Sequence, residues 1–317
     1  WLILSHRTIS MKTGIYGGTG FIGSYIVEKL IEAGHELHLL VRKGSISKIP
    51  SPSHVHIVEG ELSENDALYR LSAECNVIIY TVGIIREFPK RGITFERLHY
   101  EHLKSTVDMA KKCGCERFIL ISANGVRADG GPYQSSKYKA EEYLKASGLD
   151  WTIVRPSVVY GDPRGRKEIL TDLRDTIIRA PLPAPLFYKG LIPNNAGRFS
   201  FSPLHVEDLA TVVNAIIDND MCRNKSFALG GPDRISWKEL LETVAQASGK
   251  AKFFIPAPVF AVKFIAMLLE RFDSFPVTRD QLTMLMDGNT CDSKKLFKEL
   301  SLDPKIFSLS TLSYLKR

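Results

Sequence analysis

The sequence predicts an α/β fold: a doubly wound parallel sheet with a smaller mixed C-terminal lobe. Three observations carry this. Apolar, β-branched segments alternate with helical ones six times up to Gly161, and such alternation gives a parallel sheet covered on both faces. A glycine-spaced turn joins the first strand to the first helix. Beyond Gly161 the texture changes, and Pro and Gly break up regular elements.

Taken in order, "TGIYGG" (13–18) is a short strand running into glycines, and "FIGSYIVEKLIEAG" (21–34) has apolar residues at helical rhythm with Gly34 as its stop. Strands follow at 35–43 and 54–62, a short helix near 65–73, and a fully apolar strand at 76–83. A long helix covers 95–114, a fifth strand 117–123, a helix 133–148 and a sixth strand 150–161. The stretch 180–197 is too rich in Pro and Gly for a long regular element. A helix returns at 205–218 and a strand at 225–232. Ser236 with Glu239 three residues later is a capping-box pattern opening a helix over 236–249. The expected division is 11–161, joined by 204–229, as the dinucleotide-binding domain. Segments 162–203 and 230–317 form the smaller lobe. Residues 1–10 read as an extension upstream of Met11.

Composition narrows the partners. The chain has 317 residues, 44% hydrophobic and 24% charged, with a net charge of +7. That surplus favours anionic partners, but the basic residues are scattered and no nucleic acid is expected. The five cysteines lack metal-ligand spacing and suit reduced thiols in a cytoplasmic setting. No apolar run is long enough for a transmembrane helix. No metal is expected; the cluster His205, Glu207 and Asp208 reads as a helix start.

"GGTGFIG" supplies Gly17, Gly20 and Gly23, with Thr19, Phe21 and Ile22 between them. Glycines there let the backbone approach a pyrophosphate, and the helix N-terminus favours its charge. An acid at the end of the second strand would bind ribose hydroxyls; instead Arg42 and Lys43 stand there. Two cations suit a 2′-phosphate, so NADP(H) is favoured over NAD(H). Glu61 and Leu62 end the third strand near the adenine, and Thr81, Val82 and Gly83 end the fourth beneath the cofactor.

These pieces resemble the short-chain dehydrogenase/reductase superfamily, with its Rossmann fold. "GGTGFIG", "YTVG", "FILISA", "YQSSK" and "RPSVVYG" occur in its order. "RFSFSPLHVEDLA" and "FALGGPDRISWKEL" are similar to its extended, epimerase-like branch. "PVTRDQLTMLMDGNTCDSKKLFKEL" (276–300) resembles the atypical branch that holds the nucleotide-binding accessory subunit of respiratory complex I. The resemblance implies Tyr133 as acid/base and Lys137 as the residue that orients the nicotinamide ribose. Their i, i+4 spacing sets both on one helix face. By the same pattern a Ser or Thr should hold the substrate oxygen, and that position falls on Ala123 or Asn124; Ser122 is the nearest hydroxyl. Pro156, Val158 and Val159 would meet the nicotinamide.

Two functions follow from the resemblance. One is an NADP(H)-dependent oxidoreductase or epimerase/dehydratase acting on a small molecule. The other is a non-catalytic nucleotide-binding accessory of a membrane-associated redox complex, peripheral to the membrane. The apolar stretch 252–272 reads either as a packed lobe helix or as one lying on a bilayer.

Overall fold

The structure, a computed structural model, describes residues 11–269 and 278–316; residues 1–10, 270–277 and 317 of the sequence reading, which include the end of the apolar stretch 252–272 and the start of 276–300, lie outside them. The main sheet contains β1 (Lys12–Tyr16), β2 (Glu36–Val41), β3 (Val55–Glu59), β4 (Val77–Tyr80), β5 (Arg117–Ile121) and β6 (Asp150–Pro156). Between them run α1 (Phe21–Glu32), α2 (Asn65–Ser72), α3 (His102–Lys112) and α4 (Pro132–Lys145). The smaller elements that follow are β7 (Val159–Tyr160), α5 (Ile169–Leu173), β8 (Ala184–Tyr188), β9 (Ser200–Phe201) and β10 (Leu204–His205). Then α6 (Val206–Ile217) and β11 (Lys225–Leu229) rejoin the sheet. Last come β12 (Ile235–Ser236), α7 (Trp237–Ala247), β13 (Phe254–Pro258), α8 (Val259–Leu269), α9 (Arg279–Asp287) and α10 (Lys294–Glu299).

Seven parallel strands lie in the order β11-β6-β5-β4-β1-β2-β3. The order reverses between β1 and β4, which opens a crevice at their carboxyl ends where a ligand can bind. The central strands β1, β2, β4, β5 and β6 are buried on both faces, and the edge strands β3 and β11 are more exposed. Alternate residues pack against α1 and α6 on one side, through Ile26, Leu30, Val213 and Ile216. Those between them pack against α2, α3 and α4 on the other, through Leu68, Leu103, Val107 and Leu144. A third core gathers in the lobe around Trp237, stacked between Phe187 and Phe199, with its indole N–H donated to the Pro185 carbonyl at 3.0 Å. The Ser236–Glu239 capping box forms as predicted.

Two elements differ from the sequence reading. The strand expected over 150–161 leaves the main sheet at Pro156, and Val159–Tyr160 pairs with Leu204–His205 instead. The helix expected over 95–114 opens with a wide π-helical stretch, Glu96–Glu101, before α3. Such widened turns gather at functional sites, and this one carries His99 inward.

One buried polar contact fixes α4 on the sheet. The Glu141 carboxylate is fully buried and accepts from the Arg155 guanidinium of β6. It also accepts from the Ser122 hydroxyl just beyond β5, at 2.5 Å. Removing one partner of a buried pair strands the others without their charge or acceptor. Glu141→Ala is therefore expected to lower unfolding stability by about 3 kcal/mol, the low end of the buried-pair range because Arg155 partly reaches solvent. Urea denaturation followed by circular dichroism measures this.

Candidate functional site

The crevice is built first by backbone. Gly17 turns at φ +90°, and a Cβ there would stand 2.5 Å from the Thr81 hydroxyl. At Gly23 a Cβ would stand 2.1 Å from the Gly17 carbonyl oxygen, so α1 approaches the loop as only glycine allows. Gly20 caps α1 without a side chain, and the first turn holds no acid. The α1 N–H groups thus face the crevice with their partial positive charge uncompensated. Thr19, Phe21 and Ile22 complete the loop. This donor set fits a pyrophosphate.

At the end of β2, Arg42 and Lys43 are exposed, and neither is paired with a carboxylate among the described residues. Glu61 is exposed and Leu62 half-buried just after β3. Thr81 binds back to the Tyr16 carbonyl through its amide and hydroxyl, which holds Thr81, Val82 and Gly83 beside the glycine loop.

Tyr133 and Lys137 lie at the start of α4. The Lys137 ammonium sits 5.7 Å from the centre of the Tyr133 ring and 3.5 Å from where a Cβ on Gly83 would be. Burial lowers the Lys137 pKa to about 8, with Glu141 acting against that shift. Burial raises the Tyr133 phenol. It therefore stays protonated at neutral pH. Among the described residues, neither the Tyr133 hydroxyl nor the Lys137 ammonium has a hydrogen-bond partner.

A histidine that belongs to no sequence motif organises this corner. The Ile84 N–H donates to His99 Nε2 at 3.1 Å. His99 Nδ1 and Ser136 Oγ lie 3.0 Å apart, and the Ser136 hydroxyl in turn reaches the Tyr133 carbonyl at 3.0 Å. With Nε2 accepting, Nδ1 carries the proton and donates to Ser136. Burial and the Lys137 charge push the His99 pKa far down, so the ring stays neutral as the chain of bonds requires. His99 and Phe95 both pack edge-on against the Tyr133 ring. No local pattern around His99 signals this role.

Ser122 and Asn124 are both engaged elsewhere. Ser122 donates to Glu141, eight residues after Tyr133 and so about 12 Å further along α4. The Asn124 amide donates to the Asn289 side chain at 2.7 Å and to the Thr290 carbonyl. Pro156 is buried, with its carbonyl bonded to the Asn124 amide N–H, and Val158 and Val159 are half-buried beyond it.

The segment 278–293 spans the mouth. Gln281 donates to the Ile85 carbonyl, Arg127 pairs with Asp287, Ser157 donates to the Asn289 carbonyl, and the Gly230 amide donates to Ser293. It is thereby bonded to the loops after β4, β5, β6 and β11.

Arg166 lies nearer the cofactor loop than its lobe position suggests. Its guanidinium donates to the Thr19 carbonyl at 3.0 Å and to the Lys48 and Arg164 carbonyls. It has no carboxylate partner among the described residues, so its charge is uncompensated beside the glycine loop. His205, by contrast, caps α6 by accepting the Glu207 N–H, while Lys305 bonds both Glu207 and Asp208. A lysine thus occupies the acids of that cluster.

A family model described as NAD(P)H-binding matches residues 17–180, more than half of the chain. The chain belongs to this NAD(P)H-binding family. Within it, the chain is similar to complex I subunits in sequence and to epimerases in fold. The mitochondrial NADH-ubiquinone oxidoreductase 40 kDa subunit of Neurospora crassa is 22% identical over 309 residues, 95% of this chain and 78% of that protein. Ceramide reductase of Caulobacter vibrioides is 26% identical over 265 residues, 83% of this chain and 79% of that protein. The UDP-glucose 4-epimerase of Thermus thermophilus, solved with NAD, superposes at a TM-score of 0.70 and 18% identity, covering 96% of this chain and 98% of its own. That last likeness is one of fold.

For this NAD(P)H-binding chain, Gly23→Ala puts a methyl group against the Gly17 carbonyl. Its affinity for NAD(P)H is expected to fall by more than about tenfold, or ~1.4 kcal/mol, with the far-ultraviolet spectrum retained. Titration of nicotinamide fluorescence checks it.

Proposed function

We propose that the protein binds NADP(H) and works as an oxidoreductase on a small molecule, with Tyr133 as proton donor and Lys137 as orienter. The observation that carries this is the pair itself. A phenol and an ammonium meet at the mouth of the crevice with no protein partner for either polar end. Lys137 is buried and Tyr133 half-buried, yet both polar ends stay open to the crevice, where a ligand can complete them.

In this reading the α1 N-terminus and the loop Gly17–Gly23 hold the pyrophosphate. Arg42 and Lys43 take the 2′-phosphate, Glu61 and Leu62 flank the adenine, and Thr81–Gly83 run beneath the cofactor. Pro156, Val158 and Val159 back the nicotinamide. When bound, the cofactor supplies the hydride. Lys137 then donates to the ribose hydroxyls and holds its charge near Tyr133, which makes the phenol a better acid. Tyr133 gives its proton to the substrate oxygen and is reprotonated from solvent. His99 fixes the first turn of α4 so that these groups stay aligned. Ser122 supports α4 through Glu141.

A second reading, a nucleotide-holding accessory of a membrane-associated redox complex, is favoured by two observations. Ser122 and Asn124 have their polar groups bonded to other residues. In addition, α8 buries Val259 and Ala266 in the lobe but exposes Phe260, Phe264, Ile265 and Leu268. An apolar outer face of that kind suits a partner or membrane surface. No helix among the described residues is long and apolar enough to cross a membrane.

Two expected outcomes separate the readings and test the cofactor. Tyr133→Phe should reduce NADPH-dependent turnover by about 10²–10⁴-fold with NADPH affinity retained; NADPH binding without turnover in either form would leave the accessory reading, and turnover unchanged by the substitution would refute the role of Tyr133. Replacing Arg42 and Lys43 by Ala should weaken NADPH by roughly 10–100-fold, the worth of charge-assisted hydrogen bonds, and leave NADH unaffected. Equal losses for both nucleotides in calorimetric titrations would refute the NADP(H) preference.

A further inference from the structure

A second constellation lies on the sheet, at the amino ends of β2 and β3 and away from the glycine loop. Glu36 and His38 are two residues apart on β2, so their side chains share one face. His56 stands directly opposite His38 in the β2–β3 register. His38 Nε2 lies 3.2 Å from Glu36 Oε1, and His56 Nε2 lies 3.9 Å from the same oxygen. The two imidazoles face each other with centroids 4.7 Å apart. A ligand atom from each of the three residues falls within 4.8 Å of the others.

We propose that Glu36, His38 and His56 form a zinc-class transition-metal site. Ligands at about 2.0–2.1 Å in a tetrahedron lie roughly 3.3 Å from one another, so the donor atoms stand near chelating separation, and the exposed His56 ring turns out of its stack on His38 to converge with the other two. Two imidazoles with one carboxylate select zinc, nickel or copper over magnesium or calcium. His38 is buried and its position is set by the sheet, while His56 is largely exposed and leaves a fourth position open to water. The sheet thus supplies a half-built chelate, since a cross-strand pair already holds two side chains at bridging distance.

Lys12 is the one cation at the cluster among the described residues, 3.5 Å from Glu36. It also lies 4.0 Å from Glu74. A metal taking Glu36 therefore leaves Lys12 with a carboxylate. The site joins β3, the edge strand, to β2, so a bound metal acts as a staple on that edge and contributes stability through linkage.

The test uses tag-free, chelator-stripped full chain. Zinc is titrated by calorimetry, and cobalt by its visible absorption, with and without His56→Asn and with and without Glu36→Gln. The expected result is saturable binding of one metal in the micromolar range, a cobalt spectrum of low coordination number, and a rise in melting temperature with zinc. Each substitution should weaken binding by more than about tenfold (~1.4 kcal/mol), with NAD(P)H binding unchanged as the control for folding. Absence of saturable binding below millimolar metal would overturn the proposal. So would zinc binding that persists undiminished in His56→Asn, since the ion would then be held by other groups such as the thiols.

Discussion

The candidate site rests on one carboxylate. Glu141 is fully buried, lies one helical turn beyond Lys137 and two beyond Tyr133, and bonds α4 to both β5 and β6. Its position on the same stripe as the pair means that the contact orienting the helix on the sheet also decides where the pair points. A charge without solvent tolerates little displacement, because each partner lost leaves an uncompensated group in low dielectric. The apolar contacts of α4, through Ala140 and Leu144, fix how close the helix lies. Glu141 fixes its rotation.

Much of this was legible in the sequence, because the signals were local. Alternation of strand and helix gave the parallel sheet, and the glycines marked where α1 begins. The i, i+4 spacing placed Tyr133 and Lys137 on one face. What stayed hidden depends on contacts between distant parts of the chain. His99 carries no motif, and its bonds to Ile84 and Ser136 form only when the π-helical stretch meets α4. Arg166 sits in an irregular, Gly- and charge-rich segment that gives no register, and it reaches Thr19 across 147 positions. The trio Glu36, His38 and His56 became visible only when β3 was placed in register with β2. Strand ends were misjudged for a related reason. The apolar run through 150–161 continues past the point where its hydrogen-bonding neighbour changes, and hydrophobicity does not record a change of partner.

The relatives divide along the same line as the site. One carries a reductase name and another belongs to a respiratory complex. In the proposed reading, the glycine loop, the cations after β2 and the Tyr/Lys pair serve both holding a dinucleotide and using it. Turnover adds a demand for a group at the substrate oxygen. In this chain the nearest candidates, Ser122 and Asn124, are bonded to Glu141 and to the segment 278–293. The same fold can therefore keep a nucleotide as chemistry or as ballast, with few residues separating the two.

The segment across the mouth has a kinetic consequence. Its bonds to Ile85, Asn124 and Ser157 join residues 196, 165 and 132 positions apart. They tie the segment to loops that follow different strands of the sheet. A nucleotide leaving past this rim waits on the local opening of the segment, which has its own free energy, separate from that of the groups that touch the ligand. Residence time therefore depends on the rim as well as on the crevice.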